Sequence, residues 1–241
     1  MILICLKQYS IIRKRLYKMD RLHRITLLLG KTSVSKLKQS TVMVVGCGAV
    51  GSFAIEALAR SGVGHLILVD FDKVEESNIN RQLFALDSTV GQAKVEIAKH
   101  CIHDINPNII VDVFNMFFDE NNAPNVKPDF VIDAIDTVQS KIALYKWCTN
   151  NNIPFISSMG AARKKDITKI KIANISKTSV CPLASKIRSQ IRGLNLPDFP
   201  TVYSIESAIA QENGGREFGS IITVTGTFGL MLADFVIKKL I

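Results

Sequence analysis

Residues 41–45 (TVMVV) run without a break into the glycine-rich hexapeptide GCGAVG at 46–51. A short apolar run that does not alternate is typical of a strand buried on both faces of a parallel sheet. The residues that follow, 52–61, have a helical pattern that ends at Gly62. This order of strand, tight turn and helix predicts the first unit of an α/β fold.

The same alternation of strand and helix patterns continues along the chain. Further strands are predicted at 65–70, 109–114, 128–133 and 153–157, and helices at 22–29, 91–105 and 138–150. Strands that alternate with helices at this spacing form a parallel sheet with right-handed crossovers. After Gly160 the pattern changes to an antiparallel strand at 165–175, a basic helix at 182–192, a short strand at 201–205 and a glycine-rich loop at 211–219. We therefore expect an α/β fold: a Rossmann-like, mostly parallel sheet flanked by helices, with an irregular C-terminal extension that includes an antiparallel portion.

The charge of the chain is uneven. It carries 30 Lys and Arg against 21 Asp and Glu, a formal net charge of +9. Residues 1–19 hold five basic residues and no acid, and residues 160–195 hold nine basic residues against Asp166 alone, so the remainder is net negative. Such clusters indicate a polyanionic partner, either nucleic acid or an anionic membrane surface. The 47% of hydrophobic residues excludes a globally disordered chain.

Two features bear on the cellular environment. The five cysteines are scattered without a CxxC pair, which is typical of a reducing compartment and offers no zinc-ligand spacing. We therefore expect a cytoplasmic protein. The apolar stretch 221–237 contains Asp234 and is near the lower length limit for a membrane span. We interpret it as a buried C-terminal helix with Gly226 and Gly229 on a close packing face; membrane contact by this helix is the alternative.

The glycine-rich turn has the spacing of a nucleotide-binding loop. Gly46, Gly48 and Gly51 allow a tight turn, a close approach of the backbone to a phosphate, and close packing of the helix on the strand. Asp70 ends the second predicted strand, where a carboxylate accepts hydrogen bonds from ribose hydroxyls. Both NAD and ATP contain such a ribose, so these residues leave a dehydrogenase and an ATP-using enzyme open.

The loop after Asp70 distinguishes these two classes. It carries Asn78 and Arg81, and Lys94 follows in the first turn of the next helix. Arg81 and Lys94 can both neutralise a polyphosphate, one as a bidentate fork and the other as a point charge. Asp136 lies at the carboxyl end of the fourth strand, where ligands of such sheets bind and where a carboxylate can hold Mg²⁺ against phosphates. This set favours ATP with Mg²⁺ over a nicotinamide cofactor.

Five motifs in order resemble the adenylating superfamily of the ThiF, MoeB and ubiquitin-activating enzymes. They are Arg21 with Arg24, the GxGxxG turn, DxDxVxxSNxNRQ from Asp70, VGQAK at 90–94 and DAIDT at 133–137. The resemblance covers about residues 20–160 and implies that Gly46, Gly48 and Gly51 line an ATP loop and that Asp70 holds the ribose. It also implies phosphate contacts by Asn78, Arg81 and Lys94, a magnesium ligand in Asp136, and a homodimer in which Arg24 reaches the phosphates from the second subunit.

The C-terminal third resembles one branch of that superfamily, the tRNA threonylcarbamoyladenosine dehydratases. CPLASKIR at 181–188, VYSIE at 202–206 and the final helix follow the order of that branch, although Cys181 replaces its usual Asp and Ile205 its usual Thr. The CxxC zinc pairs and the catalytic-cysteine loop of sulfur-carrier activators are missing from the sequence. The resemblance implies that ATP activates the carboxylate of the threonylcarbamoyl group on adenosine 37 of tRNA, and that a ring then closes with loss of water. Arg81, Lys94 and Asp136 would be the catalytic residues, acting by positioning and charge neutralisation, with no protein thiol required.

The charge distribution, the change of pattern after Gly160 and the resemblance together predict a domain organisation. Residues 1–19 form a basic tail, and residues 20–241 form one adenylating domain, with 20–160 as the nucleotide-binding part and 161–241 as the substrate-side extension. The basic helix would contact tRNA through Lys186, Arg188 and Arg192, because cationic contacts to phosphates supply most nucleic-acid affinity. A sulfur-transfer or redox partner protein is left open. So are three other functions: activation of a ubiquitin-like carrier protein, a nucleotide-binding scaffold without turnover, and a dehydrogenase.

Overall fold

The computed structural model describes residues 20–210 and 218–241. The predicted tail at 1–19 and most of the predicted loop at 211–219 lie outside the described residues. The strands are β1 Thr41–Val45, β2 His65–Val69, β3 Ile110–Phe114, β4 Phe130–Asp133, β5 Phe155–Ser158, β6 Ile170–Asn174 and β7 Pro200–Ser204. The helices are α1 His23–Gln39, α2 Gly51–Ser61, α3 Lys94–Ile105, α4 Val138–Asn150, α5 Pro182–Gly193 and α6 Ile222–Leu240.

The strands form one seven-stranded sheet in the order β3-β2-β1-β4-β5-β7-β6. Every neighbouring pair is parallel except β6 and β7, which run antiparallel. The central strands are buried on both faces, as their unbroken apolar runs indicate. The predicted α/β class with an antiparallel C-terminal portion is confirmed.

Several predicted elements differ in extent from the observed ones, and the differences in α1, α3 and β6 have a visible local basis. Helix α1 continues beyond residue 29, although Gly30 leaves the helical region (φ 81°, ψ 160°) and divides it in two. Helix α3 begins at Lys94 rather than at 91, because Gly91 has a φ of 84° and belongs to the preceding turn. Strand β6 begins at Ile170 rather than at 165, because Asp166 caps a short 3-10 turn that precedes it.

Helix α6 packs closely against helix α2. Gly226 and Gly229 are both buried in α6, and a methyl group on Gly229 would lie 2.3 Å from the carbonyl oxygen of Val50 and 2.8 Å from Cβ of Phe53. Only glycine permits this approach of the two backbones. The predicted close packing face is therefore confirmed. Among residues 20–210 and 218–241, no helix has both the length and the apolarity that crossing a bilayer requires.

The strand order reverses between β1 and β4: β2 and β3 lie on one side of β1, and β4 and β5 lie on the other. Strand β1 pairs with β2 on one side and with β4 on the other, so the connections that follow β1 and β4 lead to opposite halves of the sheet. A crevice opens outside the carboxyl ends of the strands at such a point, and ligands of doubly wound sheets bind there. The loops that carry most of the predicted site residues begin at these carboxyl ends, so the fold brings them to one edge.

Candidate active site

A cavity of about 660 Å³ lies at this edge of the sheet. Its walls come from the loops after β1, β2, β3, β4 and β5, from the starts of α3, α4 and α5, and from described residues between β7 and the first turn of α6. We call one part the β2 side, lined by Asp70, Phe71 and Phe117, and the other the β5 side, lined by Arg163, Lys186 and Phe218. A cavity of this volume is within the usual range for small-molecule sites.

The three glycines of the turn between β1 and α2 have different surroundings. Gly46 has a φ of +94°, and a side chain there would lie 2.6 Å from the carbonyl oxygen of Ala134. A side chain on Gly51 would lie 1.8 Å from the carbonyl oxygen of Gly46, so the turn itself requires both glycines. A side chain on Gly48 would meet only Gln82, at 3.6 Å, and Gly48 lines the cavity. Gly48 is therefore the glycine whose missing side chain leaves room for a ligand.

Asp70 is fixed on the cavity wall by backbone groups. Its Oδ2 accepts the N–H of Cys47 at 2.6 Å, and its Oδ1 accepts the N–H of Asp72 at 2.8 Å. Burial raises the pKa of Asp70, and the two backbone hydrogen bonds and the Lys94 ammonium oppose that rise. A carboxylate has about four acceptor positions, so others are left for ribose hydroxyls.

Arg81 lies on the cavity wall, and Asn78 lies behind it. Asn78 is buried at the end of a short 3-10 turn, and its carbonyl oxygen accepts the N–H of Arg81 at 3.1 Å. Nη1 of Arg81 donates to the carbonyl oxygen of Ser77 at 2.7 Å and to Oδ1 of Asn80 at 2.8 Å. Asn78 thus shapes the turn that presents Arg81, and the phosphate contact predicted for Asn78 stays a prediction.

Lys94 is the first residue of α3 and is buried on the cavity wall. Its ammonium donates to Oδ2 of Asp72 at 2.7 Å, and its backbone N–H donates to the carbonyl oxygen of Asp72 at 3.0 Å. Burial and the Asp70 carboxylate raise the pKa of the Cys47 thiol, while the Lys94 ammonium acts against them. The cation is therefore held beside the glycine-rich turn.

Asp136 is exposed on the cavity wall after β4. Oδ1 of Asp133 accepts the N–H of Ile135 at 3.0 Å and so holds the loop on which Asp136 lies. In the described parts of the chain, no group of three or more His, Cys, Asp and Glu side chains comes together as a metal site. Mg²⁺ typically binds one or two carboxylates together with substrate phosphates, rather than a cage made only of protein ligands. A single exposed carboxylate fits a magnesium ion that is shared with a nucleotide.

A buried polar network lies behind this loop, and the sequence analysis assigned it no role. Nζ of Lys141 donates to Oδ2 of Asp133 and to the carbonyl oxygen of Ser158, both at 2.7 Å. The hydroxyls of Tyr145 and Ser157 donate to the same carboxylate oxygen at 2.7 and 2.6 Å. The side chains of Lys141 and Asp133 are completely buried, with 0% exposed. A buried charge pair of this kind is stable only when hydrogen bonds satisfy its remaining groups, and here they do.

The network joins the ends of two neighbouring strands. Asp133 ends β4, which leads to Asp136, and Ser158 ends β5, which leads to the β5 side of the cavity. Burial, together with the Asp133 carboxylate, raises the pKa of the Tyr145 phenol, which therefore remains a hydrogen-bond donor. The one sign of this network in the sequence is a lysine within an otherwise apolar part of α4. Its partners depend on how α4 packs on the sheet, which no local pattern reveals.

The β5 side of the cavity is cationic. Arg163, Lys164 and Lys186 lie on its wall, whereas the carboxylates among the described lining residues, Asp70, Asp72 and Asp136, follow β2 and β4. Lys164 is buried, and its ammonium donates to the carbonyl oxygen of Glu206. A wall with this charge favours an anionic substrate.

The three cations predicted to contact tRNA do not form one stripe on α5. Lys186 is exposed on the cavity wall, and Arg192 is exposed elsewhere on the helix. Arg188 is half-buried, and its guanidinium donates to the carbonyl oxygen of Thr178 at 3.1 Å and to the Thr178 hydroxyl. Arg188 therefore holds α5 against the preceding loop. The tRNA contacts of all three residues stay predictions, and Lys186 is the one that lies on the cavity wall.

Arg24 is exposed on α1 and does not line the cavity of its own chain. The homodimer and the role of Arg24 therefore stay predictions.

Comparisons with known proteins identify the family to which this chain is similar. The model of the ThiF family matches residues 20–241. The tRNA threonylcarbamoyladenosine dehydratase of Bacillus subtilis (strain 168) is 48% identical over 202 residues, which cover 82% of this chain and 80% of that protein. The enzyme of the same name from Escherichia coli (strain K12) is 33% identical over 246 residues, covering 88% of this chain and 90% of that protein.

Solved structures show the same likeness. The crystal structure of the E. coli tRNA N6-threonylcarbamoyladenosine dehydratase in complex with ATP has a TM-score of 0.85 and 35% sequence identity. The match covers 91% of this chain and 93% of that one. The chain therefore belongs to the ThiF family and, within it, to the tRNA threonylcarbamoyladenosine dehydratase branch.

Proposed function

We propose that this chain catalyses the ATP-dependent dehydration of N6-threonylcarbamoyladenosine at position 37 of tRNA by adenylating the free carboxylate of the modification. The observation that carries the proposal is one cavity whose β2 side offers groups for a nucleotide and whose β5 side is cationic. An acyl adenylate forms only where a nucleotide and a carboxylate meet. The similar proteins of B. subtilis and E. coli are tRNA threonylcarbamoyladenosine dehydratases.

The β2 side would hold the adenosine of ATP. The remaining acceptor positions of Asp70 suit the ribose hydroxyls. Phe71 and Phe117 pack edge to face with ring centroids 5.1 Å apart, and both rings are partly exposed in the cavity, which offers an apolar surface to the adenine ring. Gly48 would let the phosphates approach the backbone at the start of α2, where the helix terminus favours an anion.

Charge neutralisation at the phosphates would come from Arg81, Lys94 and a metal ion. The guanidinium of Arg81 can contact phosphate oxygens in pairs, whereas Lys94 acts as a compact charge. Asp136 would hold Mg²⁺, which supplies additional positive charge to the phosphates when it is bound. The Lys141 network supports this arrangement, because it holds the ends of β4 and β5 together.

The proposed reaction has two steps. A carboxylate oxygen of the threonylcarbamoyl group bonds to the α-phosphorus of ATP, the bond from that phosphorus to the pyrophosphate oxygen breaks, and pyrophosphate leaves. A nucleophile of the same modification then attacks the acyl carbon, gives up its proton and displaces AMP, which closes a ring. The modified adenosine has lost one water, whose oxygen leaves with AMP. The protein contributes by aligning the reactants and stabilising charge.

No protein thiol is needed, because the second nucleophile belongs to the substrate. Burial raises the pKa values of the Cys47, Cys101 and Cys148 thiols. These three side chains therefore stay protonated at neutral pH, and a protonated thiol is a poor nucleophile.

The β5 side would receive the modified nucleotide. Lys186 lies on the cavity wall and is suited to neutralise a carboxylate or phosphate of the substrate. Residues 160–195, with their excess of basic residues, would contact the rest of the tRNA. In a homodimer, Arg24 of a second copy would add a cation at the phosphates.

The test is a reaction with ATP, Mg²⁺ and tRNA that carries the threonylcarbamoyl modification, followed by mass analysis of the nucleosides. The wild-type chain should produce a modified nucleoside that is lighter by one water. Arg81→Ala and Lys94→Ala should each lower turnover by about 10²–10³-fold, because each removes a group that stabilises transition-state charge. Circular dichroism should show an intact fold in both variants.

Lys73→Ala is the matched control, because Lys73 is exposed in the same loop and does not line the cavity. This control should keep wild-type turnover. Normal activity in both the Arg81 and the Lys94 variants would contradict the assignment. Adenylation of the C-terminus of a ubiquitin-like carrier protein would support the main alternative, and ATP binding without any turnover would support a scaffold.

A further inference from the structure

Phe218 is an aromatic side chain that the proposed mechanism leaves without a role. It is 63% exposed, yet it lies on the β5 side of the cavity rather than on a flat surface. Ligand pockets are lined largely by apolar and aromatic side chains, because burying an aromatic ring on a ligand is favourable.

Arg163 fixes the backbone next to this ring. Its N–H donates to the carbonyl oxygen of Gly219 at 2.8 Å, and its Nε donates to the carbonyl oxygen of Ile209 at 2.7 Å. Its own carbonyl oxygen accepts the N–H of Ile209 at 3.0 Å. Arg163 has a φ of 59°, an uncommon conformation for a residue with a side chain, and such strain is concentrated at functional sites.

The same arginine also lies over the ring. Its guanidinium carbon is 5.9 Å from the centroid of Phe218, within the range of a cation–π contact. The ring is therefore held against a cation, and most of its surface remains open. Aromatic rings and arginine guanidinium planes are the groups on which proteins stack unpaired RNA bases.

The charges around Phe218 indicate the kind of ligand. Arg163, Lys164 and Lys186 line this side of the cavity, whereas the carboxylates among the described lining residues, Asp70, Asp72 and Asp136, follow β2 and β4. A planar apolar surface among cations complements a nucleotide, which combines a flat base with a negative phosphate. An apolar peptide could contact the ring, but it would bring no negative charge to these cations.

We infer that Phe218, backed by Arg163, is a stacking platform for a nucleobase of the RNA substrate. This inference rests on the proposed function, because it requires an RNA loop in the β5 side of the cavity. The platform recognises the flat face of a base and so positions the modified nucleotide, while the β2 side binds ATP separately.

The experiment measures binding of an anticodon stem-loop RNA that carries the modification, by fluorescence anisotropy, to the wild-type chain and three variants. Phe218→Ala should weaken RNA binding by about tenfold to a hundredfold, the usual loss for one stacked base. Phe218→Leu should be nearly as weak, because it keeps apolar area without a ring, and Phe218→Tyr should bind like wild type. Calorimetry should show the same ATP affinity in all four proteins.

Ile110→Ala is the control for loss of an exposed apolar side chain, because Ile110 is 61% exposed on the edge strand β3 and away from the cavity. It should leave RNA binding unchanged. If Phe218→Leu binds RNA like wild type, or if ATP affinity falls together with RNA affinity, the stacking platform is wrong. Equal binding by wild type and Phe218→Ala refutes only this inference, whereas a wild-type chain that binds no such RNA refutes the proposed function as well.

Discussion

The three glycines of the glycine-rich turn differ in role: the fold requires two of them, and the third leaves room for a ligand. Gly46 and Gly51 lie so close to other backbone atoms that a side chain on either would clash within the protein. Gly48 has only ordinary contact distances around it. The GxGxxG pattern predicts all three equally, and only the atomic neighbours show that they differ.

We therefore expect Gly48→Ala to fold normally and to bind ATP poorly. The added methyl group would contact Gln82 at 3.6 Å within the protein, but it would occupy the space through which phosphates approach the backbone. A displacement of about 1 Å in a bound reactant can cost about a hundredfold in rate, so turnover should fall by a similar factor. Thermal unfolding and the KM for ATP measure the two effects separately.

Gly193→Ala is the matched control, because nothing lies within 4 Å of a side chain at Gly193, at the end of α5. It should change neither stability nor the KM for ATP. A normal KM for ATP in Gly48→Ala would mean that the phosphates do not approach the backbone at Gly48.

At the scale of elements, helix α4 and strands β4 and β5 are joined by one buried lysine. Lys141 and Lys146 both lie on α4 and both pair with a carboxylate. Lys141 is completely buried, whereas Lys146 and its partner Glu120 are 32% and 55% exposed. Burial makes these two ion pairs very different in energy, because solvent screens only the exposed one.

Lys141→Met should lower the free energy of unfolding by about 3–5 kcal/mol, because it leaves the Asp133 carboxylate buried without its cation. Lys146→Met should lower it by about 1 kcal/mol or less. Urea denaturation followed by circular dichroism compares the two variants directly. Equal losses would show that the buried network does not hold the two strand ends together.

For the whole molecule, the distribution of charge matters more than its sum. The net charge of +9 suggests a uniformly basic protein, yet the cations are concentrated in residues 1–19 and 160–195. In the structure, the second of these segments forms the loop after β5, strand β6 and helix α5, and its Arg163, Lys164 and Lys186 lie on the β5 side of the cavity. The β2 side contains Asp70 and Asp72 as well as Lys94. Three of the nine basic residues of this second segment therefore lie on the cavity wall.

RNA binding by the whole chain should weaken steeply with salt, because each neutralised phosphate releases counterions. Lys186→Ala should reduce the slope of log K against log salt by about one contact. Lys238→Ala, which removes an exposed cation near the end of α6, should leave the slope unchanged. A slope that Lys186→Ala does not alter would remove this lysine from the RNA interface.

Local patterns in the amino-acid sequence are sufficient to predict the order of strands and helices, the nucleotide-binding turn and the family. These depend on local patterns: unbroken apolar runs, glycines at fixed spacing and motif residues next to strand ends. The observed β1, α4 and the glycine-rich packing face of α6 agree with those patterns. Element ends were less predictable, because Gly91 and Asp166 form turns where the pattern continues.

Which side chains contact one another, in contrast, depends on how the elements pack in three dimensions. Lys141 reaches Asp133 and Ser158 because α4 packs on β4 and β5, and Arg188 is used within the protein because α5 lies against the loop at Thr178. The continuous cavity also depends on the order of strands in the sheet. Periodicity reports which face of an element is buried, but not the neighbour that covers it, because contacts between distant segments depend on crossovers and packing.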